Sequence, residues 1–392
     1  MEETFHLRWG ILGTGHIAKY FAEDLLIDPA TRERIDIVHL LSGVASSRSE
    51  DVAHEFMTTV RAPSYCQAYG NYSDLVNCPT IDVVYIATPH SHHFQNAMLA
   101  LEAGKHVLCE KSLTVNAAQA KKLFAVAEQK QRFLMEGLWI RFLPVSVEVR
   151  RLLQAGAIGT ITRVFADNGL GVDPYREFPT GDRMVVKELA GGALLDLGVY
   201  SIHWVLQALA KGNRRPIQIF STMTKYPISG VDETTTILMK FAPSTADRPE
   251  IQATASASLR ARSNPDGETA AVRIQGDEGE IQVFGWPWCP SQLRVIKQGP
   301  GIDTPRTMSI DDVSFLSDDV SFVSDDPYGL CFEADEVARC IRQGLLESPE
   351  MPWLESLTVM EIMDTVRREN DLKFPEEIET LEYPVALPAK TS

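Results

Sequence analysis

Helices and strands alternate through the first third of the chain, and strands then follow one another with few helices between. That pattern predicts an α/β protein in two parts. The first part reads as a doubly wound parallel sheet, the second as an α/β domain with a large, mainly antiparallel open sheet. A glycine turn between the first apolar run and the first amphipathic stretch supports the doubly wound reading. At 392 residues the chain is long enough to bury two separate cores.

In order, Leu7 to Leu12 is the first strand and Ile17 to Leu26 the first helix. Ile35 to Ala45 is a strand, Glu50 to Met57 a helix, Ala62 to Tyr65 a short strand and Tyr72 to Asn77 a short helix. Asp82 to Ala87 is almost wholly apolar, as a strand inside a parallel sheet must be. His92 to Ala103 forms a helix that Gly104 stops, and His106 to Cys109 is the next strand. Val115 to Lys130 is a helix capped by Thr114 or Asn116, and Phe133 to Glu136 adds one more strand.

Pro144 opens a helix with Val147, Val149, Leu152 and Leu153 on its buried side, and Gly156 and Gly159 end it. Alternation from Thr160 to Ala166 marks a change of character. Ile217 to Lys225, Thr234 to Phe241, Ile251 to Leu259, Ala270 to Gln275, Glu280 to Phe284 and Gln292 to Ile296 are further strands. Only the helix Asp196 to Ala210 interrupts them early, so the sheet is antiparallel for the most part, with helices on one face. Tyr328 to Arg342 and Leu357 to Asn370 are late helices, and the Asp- and Ser-rich Gly299 to Ser324 is a surface excursion. The tail, with Pro375, Pro384 and Pro388, is expected to wrap the surface or fray.

A formal net charge of -16 argues against a nucleic-acid partner. No run of about 18 apolar residues offers a membrane span. Met1-Glu2-Glu3 enters a strand at once, without the basic and apolar regions of a secretory leader. Cys66, Cys78, Cys109, Cys289, Cys331 and Cys340 contain no CxxC pair and no repeated metal-ligand spacing. They read as reduced thiols of a cytoplasmic protein, with Cys109 and Cys340 packing as small hydrophobes.

Gly10-Ile11-Leu12-Gly13-Thr14-Gly15-His16-Ile17-Ala18 sets Gly-x-Gly-x-x-Ala between strand and helix. There Gly13 permits a sharp turn, Gly15 lets phosphates come close, and Ala18 lets helix and strand pack tightly. Gly13, Thr14, Gly15, His16 and Ile17 therefore line a dinucleotide pyrophosphate, the alternative being an ordinary structural turn. In an NAD site an acid at the end of the second strand holds the ribose. This strand ends instead in Ser46-Ser47-Arg48, where hydroxyls and a guanidinium suit a 2′-phosphate, so NADP is favoured over NAD.

Thr88-Pro89-His90-Ser91-His92-His93 follows a buried strand, at the edge of the sheet where ligands bind. Thr88, Pro89, His90 and His93 are expected beside the nicotinamide, His93 also toward substrate. The histidine spacing does not suit a metal, and no metal is expected. Glu110-Lys111 ends another parallel strand, so Lys111 can donate to a substrate hydroxyl or lower a neighbour's pKa. In the second part, a glycine turn opens the helix on which Asp196, Tyr200 and His203 share a face. Tyr200 there can accept a proton and Asp196 can bond a sugar, against the plainer reading of a capped helix with a buried phenol. Trp139 and Arg141 stand where the first part hands over to the second, suited to a hydroxylated substrate. Tyr175, Phe178 and Arg183 lie in an irregular loop that can close over it.

Together the Gly13-to-Ala18 turn, the Glu110-Lys111 strand end and the Gly191-to-Tyr200 helix start resemble the glucose–fructose oxidoreductase, inositol dehydrogenase and rhizopine-catabolism (Gfo/Idh/MocA) family. Within it the chain is most similar to the dimeric dihydrodiol dehydrogenases and the fungal NADP-dependent D-xylose 1-dehydrogenases. The resemblance implies an NADP-binding Rossmann domain over 1–140 and a substrate-binding and dimerisation domain over 141–392. It implies Lys111 and Tyr200 as the catalytic pair, with His93, Trp139, Arg141 and Asp196 around a small sugar. It also implies a homodimer through the C-terminal sheet. Its expected reaction is oxidation of D-xylose at C1 to D-xylono-1,5-lactone, with an aromatic trans-diol as the alternative substrate. A cofactor-binding redox sensor without turnover is the non-enzyme alternative, but such a protein would lose Lys111 or Tyr200. Family members usually carry proline after Glu-Lys; Ser112 stands here, and its freer φ is expected to loosen the lysine turn.

Overall fold

The computed structural model describes residues 4–32, 36–179, 181–209, 215–243, 245, 247–297 and 329–387. Its described residues divide into two units, one of 4–139, 329–357 and 376–387, the other of 140–297 and 358–375.

The first unit begins with β1 (Phe5–Leu12), α1 (His16–Leu25), β2 (Ile37–Ala45), α2 (Glu50–Thr59), β3 (Gln67–Tyr69) and α3 (Tyr72–Val76). β4 (Val83–Ile86), α4 (His90–Glu102), β5 (His106–Glu110), α5 (Ala117–Lys130) and β6 (Leu134–Gly137) follow. The strands lie in the order β3-β2-β1-β4-β5-β6, every pair parallel. Val83–Ile86 is buried along its whole length, which is why it reads as a continuous apolar run. Ser49, Asn71 and Asn116 cap α2, α3 and α5 by accepting from Val52, Asp74 and Gln119 amides. The strand expected at Ala62 to Tyr65 is a turn, and β3 comes after it. Pro63 has no N–H to give a ladder there. Ile35 lies outside the described residues.

The second unit contains α6 (Pro144–Gln154), β7 (Ile161–Gly169), α7 (Pro174–Glu177) and α8 (Val199–Ala208). β8 (Pro216–Lys225), β9 (Asp232–Phe241), β10 (Ile251–Ser258), β11 (Val272–Gly276), β12 (Gly279–Trp286) and β13 (Cys289–Lys297) complete its sheet. The order is β13-β12-β11-β7-β10-β9-β8, and only the β7–β10 pair is parallel. α8 packs on β7 and β10. Val164, Ile237, Ala255 and Ile274 are among the side chains buried within this unit. A cross-strand row on the sheet runs Phe220, Leu238, Thr254, Phe165, Arg273, Gln282 and Arg294. Within that row Phe220 and Leu238 are 55% and 53% exposed. Val147, expected on the buried side of α6, is exposed. The helix buries Ser146 in its place, with Val149 and Leu152 buried as expected. Lys187–Ala208 is apolar and long enough by composition to cross a membrane, and its apolar 18-residue stretch is wholly buried here.

α9 (Leu330–Arg342), α10 (Trp353–Glu369) and α11 (Glu376–Glu379) end the chain. α9 belongs to the first unit and packs on α1, where buried Asp24 accepts from the Leu330 amide at 2.7 Å. Asp335 of α9 takes both Arg32 and His39, each at 2.9 Å. α10 starts four residues before its expected start at Leu357. In the first unit its Trp353 stacks on Phe124 and donates to the Leu134 carbonyl. In the second its Glu361 and Glu369 bind Arg215 and Ser221 beside and on edge strand β8. The tail is tied down: Gln95 of α4 donates to the Glu382 carbonyl, and Gln119 of α5 to those of Ile378 and Thr380. Ala210, Gly299 to Ser324, Tyr328 and Pro388 lie outside the described residues.

Candidate active site

Register brings four strand ends of the first unit level. Leu12 pairs with Ala45 and Ile86, and Ile86 with Cys109. The strand order reverses between β1 and β4, so the turns after β1, β2, β4 and β5 edge one crevice of the kind that binds ligands. Those turns hold Gly13 to Ile17, Ser46 to Arg48, Thr88 to His90, and Lys111.

Gly13 sits at φ +106°, and a Cβ there would stand 2.7 Å from the Ala87 carbonyl, so only glycine fits. Its amide is held by the Ala45 carbonyl at 3.0 Å. Around Gly15 a Cβ would meet nothing within 4 Å. α1 starts at once, with no capping side chain and no acid in its first turn, while Gly15 and His16 are exposed. This open cradle of backbone N–H groups at a helix N-terminus fits a pyrophosphate. At the β2 tip, buried Ser46 accepts from the Arg48 amide at 3.2 Å, and Ser47 and Arg48 are exposed. Tyr72 of α3 bonds Ser47 and lies near Arg48; burial raises its phenol pKa, against a smaller lowering by those neighbours. Sequence reading missed Tyr72, because only the fold brings it to the β2 tip.

His93 is fully buried, with Nδ1 2.8 Å from the Ser112 carbonyl oxygen and Nε2 2.8 Å from that of Thr88. Burial drives its pKa down to about 4, so the ring is neutral and its single N–H donates to one of those two carbonyl oxygens, at the Lys111 turn or at the β4 turn. It sits between the two turns, where substrate and cofactor contacts were expected. His90 packs edge-on against it, and α4 begins at His90, earlier than expected, with no capping side chain. Tyr85 donates to buried Glu110 at 2.5 Å, and Glu136 accepts from the Leu113 amide at 3.0 Å. Ser112 itself is fully buried between these contacts. Among the described residues no three His, Cys, Asp or Glu side chains converge as a metal-ligand set.

In the second unit, Gly191 and Gly192 open the helix start. A Cβ on Gly191 would stand 2.5 Å from the Arg183 carbonyl. One on Gly192, at φ +119°, would stand 2.2 Å from Asp232 Oδ1. The next turn, Leu194–Gly198, is a π turn in which the Val199 amide bonds the Leu194 carbonyl, before regular α8 begins. Asp196 lies in that π turn, and Tyr200 and His203 in α8, all three buried. Asp196 pairs with half-exposed Arg183 at 2.9 Å. Two clamps hold the turn that sequence reading missed. Asp232 accepts from the Leu194 amide at 2.6 Å and from Thr235 Oγ1 at 3.0 Å. Asn168 Nδ2 donates to the Leu197 carbonyl at 2.9 Å. Burial pushes the Asp232 carboxyl up to about 6, with those hydrogen bonds pulling the other way.

Trp139 falls in the first unit and Arg141 in the second, both buried in one short turn. The Arg141 carbonyl accepts from Arg150 at 2.7 Å. Tyr175 is exposed and rests on Tyr226 with Arg260 over its ring. Phe178 packs on the apolar cluster of Met184, Leu197 and Leu259.

Residues 7–138 match the family described as GFO_IDH_MocA, an oxidoreductase family with an NAD-binding Rossmann fold. Residues 146–282 match the GFO/IDH/MocA C-terminal domain. The chain is 42% identical over 396 residues to the D-xylose 1-dehydrogenase (NADP(+)) of Hypocrea jecorina, covering 99% of this chain and 98% of that protein. It is 34% identical over 371 residues to the trans-1,2-dihydrobenzene-1,2-diol dehydrogenase of Danio rerio, covering 93% and 96%. An NAD binding oxidoreductase from Klebsiella pneumoniae has the same fold, with a TM-score of 0.73 at 20% identity over 93% of this chain and 96% of that one. By sequence over its whole length, the chain belongs to the GFO/IDH/MocA oxidoreductase family.

Proposed function

We propose that this protein is an NADP-dependent dehydrogenase that oxidises an aldose at C1, with D-xylose as the sugar and D-xylono-1,5-lactone as the product. The observation that carries this reading is the full-length similarity to a D-xylose 1-dehydrogenase (NADP(+)), in a chain that keeps Lys111, Asp196 and Tyr200.

Gly13, Thr14, Gly15, His16 and Ile17 would hold the pyrophosphate, and Ser46, Ser47 and Arg48 the 2′-phosphate. Thr88, Pro89, His90 and Glu110 would lie beside the nicotinamide. When bound, NADP supplies the hydride acceptor. Tyr200 takes the proton of the C1 hydroxyl, and Lys111 stabilises the phenolate or the developing oxyanion. Asp196, oriented by Arg183, accepts from a sugar hydroxyl. Trp139, Arg141 and Tyr175 contribute apolar and cationic surface to sugar binding.

The second reading, oxidation of an aromatic trans-diol, is favoured by the relative from Danio rerio. A screen of NADPH formation over D-xylose, D-glucose, L-arabinose and trans-dihydrobenzenediol separates the two. The sugar reading expects the highest kcat/KM with D-xylose; a faster diol overturns it. We further propose a homodimer through the open sheet, supported by Phe220 and Leu238, neighbours in register that each leave over half their surface exposed. Sedimentation of Leu238→Glu is expected to show monomer where the parent shows dimer.

A further inference from the structure

A π turn is rare in proteins, because each extra residue per turn loosens the backbone ladder, and it persists where its surroundings hold it. The Leu194–Gly198 turn is held by its two ends from two different strands. At its start, Asp232 of β9 accepts the Leu194 amide. Near its end, Asn168 of β7 donates to the Leu197 carbonyl. Asp232 is 1% exposed and Asn168 is 0% exposed. Among the described residues Asn168 Oδ1 has no hydrogen-bond partner, while Nδ2 donates to the Leu197 carbonyl. Gly198 passes Ala257 of β10 at ordinary contact distance, 3.5 Å from a built Cβ, which keeps the turn seated on the sheet. One residue beyond Tyr200, Ser201 donates to the Ser256 carbonyl of β10 at 2.7 Å.

We propose that Asp232 and Asn168 are positioning residues for Tyr200: they grip the π turn at its amide and carbonyl ends and so set where α8 begins. Neither touches the reacting atoms. Each acts through the turn, and the inference rests on Tyr200 being the proton acceptor. Without the Asp232 clamp the Leu194 amide loses its acceptor, and without Asn168 the Leu197 carbonyl loses its donor. The turn is then free to rewind toward i→i+4 bonding, which rotates and shifts the residues that follow.

The test uses the full chain with Asp232→Ala, Asp232→Asn and Asn168→Ala, alone and in a Tyr200→Phe background. Asp232→Asn keeps an oxygen for the Leu194 amide and is the rescue variant. We expect kcat to fall between about 10-fold and 100-fold in Asp232→Ala and Asn168→Ala, as small misplacements of a reacting group do. The sugar KM and NADP affinity should stay within about threefold, and Asp232→Asn should stay near the parent. In the Tyr200→Phe background the same changes should cost less than about twofold. A full loss in that background, or an unchanged kcat in both variants, overturns the proposal. Should Asp232→Ala not fold, Asn168→Ala leaves the carboxyl in place and decides alone.

A readout independent of turnover separates this inference from the functional one. In isotope-labelled tyrosine NMR, the resonance absent in Tyr200→Phe should move in Asp232→Ala and Asn168→Ala and stay in Asp232→Asn. A parent that oxidises neither sugar nor diol sinks the functional reading, while an unmoved resonance sinks this one.

Discussion

The turn after β1 and the turn before α8 each launch a helix whose first residues are candidates for function, yet they are held in different ways. The first is made by the backbone: Gly13 at φ +106° with its amide on the Ala45 carbonyl, and no side chain capping α1. The second is made by side chains from strands 29 and 38 residues away, Asn168 and Asp232, gripping a π turn. A turn built from backbone leaves its amides for a ligand, and a turn built from clamps leaves nothing loose around its acid and phenol. The first suits binding of an anion, the second fixed placement of the side chains that follow it.

The largest break in this comparison comes from the second turn's cargo. Tyr200→Phe should lower kcat by about 10²–10⁴-fold with NADP affinity retained, measured by steady-state kinetics and cofactor titration. Gly13→Ala strikes the first turn through strain at positive φ and a clash with the Ala87 carbonyl. Cofactor affinity should fall about 100-fold or more by fluorescence titration, since a strained residue of this kind costs of order 1–3 kcal/mol before the clash is counted. Arg48→Ala should raise the NADP KM about 10-fold to 100-fold and leave NAD turnover unchanged, the range for losing hydrogen bonds to a charged group.

The smallest effects sharpen the contrast through pH. His93 is buried neutral, its pKa driven down to about 4, while the unfolded imidazole titrates near its ordinary 6.5. The unfolded chain then binds the extra proton, so this group's contribution to stability is lost as pH falls from 6.5 toward 4. Asp232 is the reverse. Its carboxyl, pushed up to about 6 by burial, holds its proton in the fold where the unfolded chain releases it, so its contribution falls as pH rises from 4 to 6. Urea unfolding across that window should therefore change slope in opposite senses in His93→Gln and Asp232→Asn, each by about 1–3 kcal/mol at most.

What could be read from the residues follows the same divide. The Gly13 turn and the strand end before Lys111 are local, so adjacency in sequence was enough to place them. The sequence pattern starts a strand at Thr234, after Asp232, and ends one at Ala166, before Asn168. Their roles depend on the parallel β7–β10 pairing and on β9 beside β10, which no local pattern carries. A π turn has no signature in composition, so the helix from Asp196 was expected to be regular. Val147 differs for a smaller reason: in the first turn of α6 the buried stripe of Val149 and Leu152 continues through Ser146, three residues before Val149, rather than through Val147. His93 was expected at the ligand, because sequence places it by the crevice but cannot show two carbonyl oxygens closing on its ring.

The central claim is that the amine at the end of β5 and the phenol at the start of α8 serve one reaction. A kinetic cycle of Lys111→Met, Tyr200→Phe and the double variant on D-xylose and NADP tests it most directly. If the two groups act as a unit, the double variant will be about as slow as the slower single one. Losses that multiply would contradict the claim.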